Sequence, residues 1–397
     1  MGRFPFPHDQ RAPECCYPNA ADADDARRAF SRWREEIVTA EGASGFLRAR
    51  RPDTPDGERN STVSEGIAYG MLIAVMFDDQ PLFDNFFQYA QRWFNENGLM
   101  SWYIAPDGSR ALGKGAATDS DEDMAWALVM AHRQWGGRGG LDDDYLGHAK
   151  RLIERIWEFE VDHGKWPDML LPGDEWRGQN VFNPSYFAPH QYRLFGEVSG
   201  DLHGFQRVID RGYAIVENSL NERNGNRENG LVPAWCDADG TPVEAFPGAM
   251  MNYQYDSARM PFRLGQDYVY HREPRARAYL QRVSAFFAQV GADRNRRWVH
   301  APRRAGAGST RSAPQPGLGG VRGLRGGRRH ARRALSAVRR RRLRPRAKGR
   351  FARPQPLLQP FVHGAFALDA ERQFRELSGL AATMVASSRA CRSSATS

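Results

Sequence analysis

ATDSDEDMAWALVMAHRQW, residues Ala117–Trp135, is the stretch on which the reading of the fold turns. Its apolar residues Met124, Ala127, Leu128, Ala131 and Trp135 recur at the spacing that lines one face of a helix. Ahead of them four acids, Asp119, Asp121, Glu122 and Asp123, crowd the helix start. Acids in a first turn complement the positive end of the helix macrodipole. Four exceed that need and repel one another, so some are expected to meet a substrate or a proton.

The same stripe recurs on either side, in Phe83, Phe86, Phe87, Ala90, Trp93 and Phe94, and in Tyr145, Ala149, Leu152, Ile153 and Ile156. Further helices are expected near 184–196, 201–219, 257–268 and 274–291. Turn-rich connections such as Pro106-Asp107-Gly108, Asn224-Gly225-Asn226 and Asp239-Gly240-Thr241 separate them. Strand signals are short and few. Periodic helices joined by turns predict a large all-α domain of repeated helical hairpins.

With 41% apolar residues and ten Trp, the 397-residue chain can build a sizeable core and spare aromatics for a cleft. No apolar run approaches the roughly 18–20 residues of a membrane span, so a soluble protein is expected. The start, MGRFPFPHDQ, lacks the apolar core of a signal peptide. Cys15, Cys16, Cys236 and Cys391 show neither metal-ligand spacing nor a disulfide framework.

The net charge of +9 is misleading, because residues 301–350 hold 17 of the 56 Lys and Arg and no acid. The remaining 39 basic and 47 acidic residues describe an acidic protein carrying one basic segment. Arg, Gly, Ala and Pro fill 37 of those 50 positions. Such text cannot bury enough apolar surface to offset its ordering entropy. It reads either as a basic tail for polyanions or as a frameshifted GC-rich gene, and its abrupt onset favours the second.

Two further stretches carry chemistry. In Thr62-Val63-Ser64-Glu65-Gly66-Ile67-Ala68-Tyr69-Gly70-Met71, Glu65 falls in the first turn of a helix. Thr62 and Glu65 have capping-box spacing, the plainer reading. Gly66 and Gly70 on one face nevertheless weaken the helix by about 1 kcal/mol each, so a helix or a ligand is expected to approach there. In Asn252-Tyr253-Gln254-Tyr255-Asp256-Ser257-Ala258-Arg259-Met260-Pro261-Phe262-Arg263, Asp256 could be an ordinary N-cap with Arg259 its structural partner. Together the three stretches supply separated carboxylates, aromatics and an arginine, the requirements of polysaccharide cleavage.

Here the chain resembles glycoside hydrolase family 8, the inverting (α/α)6-barrel endoglucanases, xylanases and chitosanases. Residues 117–135 match the pattern A-[ST]-D-[AG]-D-x2-[IM]-A-x-[SA]-[LIVM]-[LIVMG]-x-A-x3-[FW] everywhere but Ser120. SEGIAYGML at 64–72 is similar to the family's general-acid motif. Asn183-Pro184-Ser185-Tyr186-Phe187-Ala188-Pro189 and Tyr255-Asp256-Ser257-Ala258-Arg259 also resemble the family.

The resemblance implies an (α/α)6 barrel with Glu65 as general acid and Asp256 as general base, about 6.5–9.5 Å apart across a cleft. It implies that Asp119 holds the distorted sugar and helps place the water. Trp102 and Trp176 stand where the family stacks sugars, although a core role is open for either. Tyr186 is implied in substrate binding, and Tyr255 and Arg259 are implied to flank and orient the base.

Neither metal nor organic cofactor is implied. The expected partner is a polysaccharide: cellulose, lichenan or carboxymethylcellulose first, xylan second. Asp256 favours these over chitosan, because some chitosanases of the family lack a carboxylate there. A monomer without nucleic-acid or membrane partners is expected, and the resemblance implies a secreted or periplasmic protein. A catalytically inactive carbohydrate-binding relative is the alternative.

The domain organisation reads as a flexible arm at 1–26, a catalytic domain at 27–298, an irregular Arg-rich segment at 299–355 and a remnant at 356–397. The family's last helices are not readable after about 300, so the C-terminal helices are expected to be missing or disrupted. Losing a closing hairpin exposes a large apolar strip. Little hydrolysis is therefore expected from the chain as written, and more from a frame-corrected one.

Overall fold

Two helices, α2 (Ser64–Met76) and α4 (Thr118–Gln134), are buried on nearly every side. A helix buried on nearly every side is stable only where other helices surround it and its polar groups find partners. Four of their neighbours are instead amphipathic: α3 (Gln80–Gln91), α5 (Tyr145–Phe159), α7 (Leu202–Ser219) and α9 (Pro274–Val290). Each of the four packs its apolar stripe on the helix before it, with α6 (Pro189–Ser199) beneath α7 and α8 (Met260–His271) beneath α9. Helices α2, α4, α6 and α8 adjoin in that order. The fold is all-α, of the (α/α)6 class, and the described residues supply four of its hairpins after an initial helix α1 (Ala23–Ile37).

This computed structural model describes residues 2–4, 6, 23–52, 57–254 and 256–291. The expectations for Tyr255, for the Arg-rich segment, for the remnant at 356–397 and for missing closing helices lie outside the described residues. Cys236 is buried and carries no disulfide. Among the described residues no helix is long and apolar enough to cross a membrane.

Local chemistry explains where the structure departs from the reading by periodicity. The helix expected near 184–196 is two pieces, a single 3-10 turn Pro184–Tyr186 and then α6. Pro189 disfavours helical backbone at the residue before it, and Ala188 adopts φ −118°, ψ 68°. Trp93 and Phe94 fall beyond the end of α3, in a bend closed by a bridge between Phe94 and Met100.

The capping box at Thr62 does not form. Val63 is the N-cap residue and makes no side-chain cap, while Thr62 donates to the Ala49 carbonyl and accepts from buried Arg48. The close approach at Gly70 is a neighbouring helix, since a Cβ there would lie 2.7 Å from the Phe86 ring of α3.

Nor is the chain start entirely a loose arm. The Gly2 amide donates to Asp78, Phe4 exchanges hydrogen bonds with the Gln134 side chain, and Phe6 packs on Phe77. Helix α1 already begins at Ala23.

The strands are few and short, and three of them serve the cleft. Thr62–Val63 pairs antiparallel with Tyr103–Ile104, which pairs with Ala111–Gly113. This ribbon runs directly into α2, and the Ser64 amide donates to the Trp102 carbonyl at 2.9 Å. It therefore sets Trp102 beside the helix start that carries Glu65.

Candidate active site

The N-terminal turns of α2 and α4, the 3-10 turn Pro184–Tyr186 and the 3-10 turn Ser257–Arg259 that leads into α8 present their side chains to one another. They bring together Glu65, Asp119, Tyr186, Asp256 and Arg259. Helix starts suit such a site, because their free N–H groups and dipoles favour negative charge.

Arg259 is its centre. One guanidinium nitrogen donates to Asp119 Oδ2 and the other to Asp256 Oδ1 at 3.1 Å. The guanidinium carbon lies 5.2 Å from the centre of the Tyr186 ring, in reach of a cation–π contact. Asp256 is therefore not a plain N-cap: its side chain meets Arg259 and the Gln254 amide, at 3.2 Å, and caps no backbone N–H. Asp119 is almost wholly enclosed, 1% exposed, and its Oδ1 receives no hydrogen bond.

Glu65 stands beside these groups with its Oε2 buried and without a donor. Burial pushes its pKa up, Arg259 pulls it down, and the Asp256 charge adds to the rise. Burial likewise pushes Asp119 up to about 7, against Arg259 and with help from Glu65. Both groups are thus shifted toward the neutral form by enclosure, the arrangement that keeps a carboxylic acid available as a proton donor.

Ser120, the one departure from the pattern at 117–135, bonds Ser64 hydroxyl to hydroxyl at 2.6 Å. It ties the start of α4 to the residue before Glu65.

Aromatic rings extend outward from Arg259. Tyr186 meets Trp235 edge-on at 6.3 Å, and Trp235 stacks with Trp176 at 5.9 Å and 17°. Trp102 is 40% exposed and lies over Gly113, where a Cβ would fall 2.1 Å from its Nε1. An exposed indole is a poor core residue and a suitable platform for the apolar face of a sugar. Among the described residues no cluster of His, Cys, Asp and Glu could hold a metal ion.

Several site residues escaped the reading by sequence. Gln254, which touches Asp256, carries no spacing or chemistry along the chain that sets it apart. Tyr69, one turn after Glu65, is pushed up to about 12 by burial and feels both Arg259 and Asp119. Trp235 sits in a turn region without periodicity. Arg263, 1% exposed on α8, grips Asp123 with both nitrogens, the second at 2.9 Å. A spacing of four, shared by Asp119/Asp123 and Arg259/Arg263, was the available clue.

The sequence pattern of Glycosyl hydrolases family 8 matches residues 4–313, starting inside the stretch read as an arm and running past 298. Endoglucanase C of Ruminiclostridium cellulolyticum is 38% identical over 298 residues, covering 73% of this chain and 61% of the relative. Endoglucanase A of Acetivibrio thermocellus is 41% identical over 264 residues, covering 66% of this chain and 52% of the relative. This chain thus spans between half and two thirds of the length of these curated relatives. A solved β-1,3-1,4-glucanase from Paenibacillus sp. X4 has a similar fold, with a TM-score of 0.64 at 26% identity, over 73% of this chain and 79% of that one.

Proposed function

Because the chain belongs to Glycosyl hydrolases family 8, we propose that it hydrolyses internal bonds of a β-1,4-linked glucan with inversion at the anomeric carbon. The observation that carries this reading is Arg259 bridging Asp119 and Asp256 beside Glu65, whose Oε2 is buried and without a donor. Glu65, its pKa raised by burial, gives its proton to the glycosidic oxygen as the C1–O bond breaks. Asp256, held by Arg259 and Gln254, takes a proton from water as the water oxygen attacks C1 from the opposite face. Exchange with solvent restores both groups. Asp119 holds the sugar at the cleavage point, and Trp102, Trp176 and Tyr186 receive its neighbours.

Lichenan and carboxymethylcellulose are the first substrates to offer, supported by the names of the endoglucanase relatives and of the β-1,3-1,4-glucanase. Xylan is the second. Polymers of this size do not cross a membrane, so the reading places the work outside the cytoplasm. Cell fractionation of the producing organism tests this, and activity confined to cytoplasm counts against it.

The decisive assay is reducing-sugar release from the three polymers, with proton NMR following the anomer first formed. Glu65→Gln is expected to lower turnover by about 10²–10⁴-fold, the usual size of a general-acid contribution. An α-anomer appears first if the reaction inverts. A β-anomer first overturns the mechanism, and binding without release identifies a carbohydrate-binding protein instead.

A further inference from the structure

The acidic run on α4 has a second face that the cleavage site does not use. Asp121 interacts instead with Glu160, the residue that caps the end of α5. Both side chains are wholly enclosed, at 0% exposure. Asp121 Oδ1 accepts from the Met100 amide at 3.3 Å, but Asp121 Oδ2 and both Glu160 oxygens receive nothing from the protein. The Thr118 hydroxyl beside Glu160 gives its hydrogen to the Leu171 carbonyl at 2.7 Å, so toward Glu160 it can only accept. The charges that act most on the pair are all acidic: Asp119 and Glu122 on α4, and Asp174 on the turn that carries Trp176.

Two carboxylates so placed cannot both be ionised. The helix dipoles say which one keeps the proton. Asp121 lies in the first turn of α4, where a negative charge is favoured, and Glu160 at the end of α5, where it is disfavoured.

We propose that Glu160 is a positioning residue, which donates one shared proton to Asp121 and so braces the first turn of α4 that carries Asp119. The backbone supports the brace. The Leu171 amide donates to the Glu160 carbonyl at 2.8 Å, and the Thr118 amide donates to the Pro172 carbonyl at 3.2 Å. The segment after α5 is thereby joined to the start of α4. Burial pushes both acids well up, and each raises or holds the other, so the pair titrates as a unit.

The sign of the pH effect follows. A pair that keeps its proton only when folded contributes stability that is full below the unfolded carboxyl values and is lost as pH rises through the folded ones. The kinetic consequence rests on the reading of Asp119 as part of the cleavage site, whereas the proton is read out without activity.

The experiment uses the full chain and the variants Glu160→Gln and Asp121→Asn, whose amides keep the donor. Thermal midpoints are followed across pH together with the infrared carbonyl stretch of neutral carboxylic acids. The native midpoint is expected to fall by about 5 °C or more as pH rises above the unfolded carboxyl range, and that of Glu160→Gln by less than about half as much. The infrared band at neutral pH weakens in either variant. At neutral pH Glu160→Gln retains turnover within about twofold, while Glu160→Ala loses on the order of tenfold, since a misplacement of about 1 Å can cost 10²-fold.

Equal pH slopes with an unchanged band overturn the shared proton. So does loss of folding in both amide variants. A weakened band with equal turnover in Glu160→Ala overturns the positioning role alone. An inactive frame-corrected chain with the band and slopes as expected leaves the proton standing and refutes the cleavage reading.

Discussion

Asp119 and Asp121 are two residues apart on α4, equally buried, and meet opposite partners. Asp119 faces α8 and finds Arg259, and one turn on Asp123 finds Arg263. Asp121 faces the end of α5 and finds another carboxyl, Glu160. On the first face each acid meets an arginine, and the two arginines have the same four-residue spacing as the acids. On the second face no charge is matched, and a proton takes the place of a cation. Burying a carboxylate is costly unless it is paired, and neutralisation is the cheaper route where no arginine reaches. One helix therefore carries a face whose acids meet arginines and a face whose acid meets another carboxyl.

The strongest way to break this comparison is to remove the deeper cation. Arg263→Met leaves Asp123 enclosed without its arginine, and is expected to cost about 3–5 kcal/mol, the usual penalty of breaking a buried ion pair. Urea midpoints at neutral pH read it, and adding Asp123→Asn is expected to recover part of the loss. A cost under about 1 kcal/mol would show that the two-step ladder between α4 and α8 is not what holds the helices.

A smaller effect distinguishes the two faces by pH. Asp119 is raised from 3.8 to about 7 in the folded chain, so the folded state binds the extra proton. Its contribution is full below about pH 4 and is lost as pH climbs through about 7. Asp119→Asn is expected to flatten the fall in stability over that window. Midpoints measured at closely spaced pH values check this. Superimposed curves for native and variant chains would remove Asp119 from the titrating set.

The mildest prediction concerns the rings. Trp176→Ala removes a stacking surface and leaves the carboxylates in place, so KM is expected to rise about tenfold, equivalent to about 1.4 kcal/mol, with kcat nearly unchanged. A fall in kcat at constant KM would mean that the turn bearing Trp176 acts through Asp174. Asp174 accepts from Asn95, Asn97 and the Ala116 amide just ahead of α4.

The helices were legible because their signal is local. Met124, Ala127, Leu128 and Ala131 announce a face by spacing alone, and Gly108, Gly225 and Gly240 mark turns in which each adopts positive φ. The acids of 117–123, Glu65 and Asp256 could be singled out, since each breaks the apolar pattern at a helix start. Less local features were lost. Pro189 split a helix that periodicity had joined, and Thr62 turned from a cap for Glu65 to a partner of Arg48.

By itself, then, the sequence determined an all-α chain with carboxylates at the starts of its buried helices, because period and helix-end chemistry depend on neighbours within a few residues. Only the tertiary structure decided what those carboxylates became. Arg259 and Arg263 reach Asp119 and Asp123 from 140 residues away, and Glu160 reaches Asp121 from the end of the next helix. Whether an acid is ionised, bonded or protonated depends on what is packed against it and how little water remains, and no spacing along the chain encodes that.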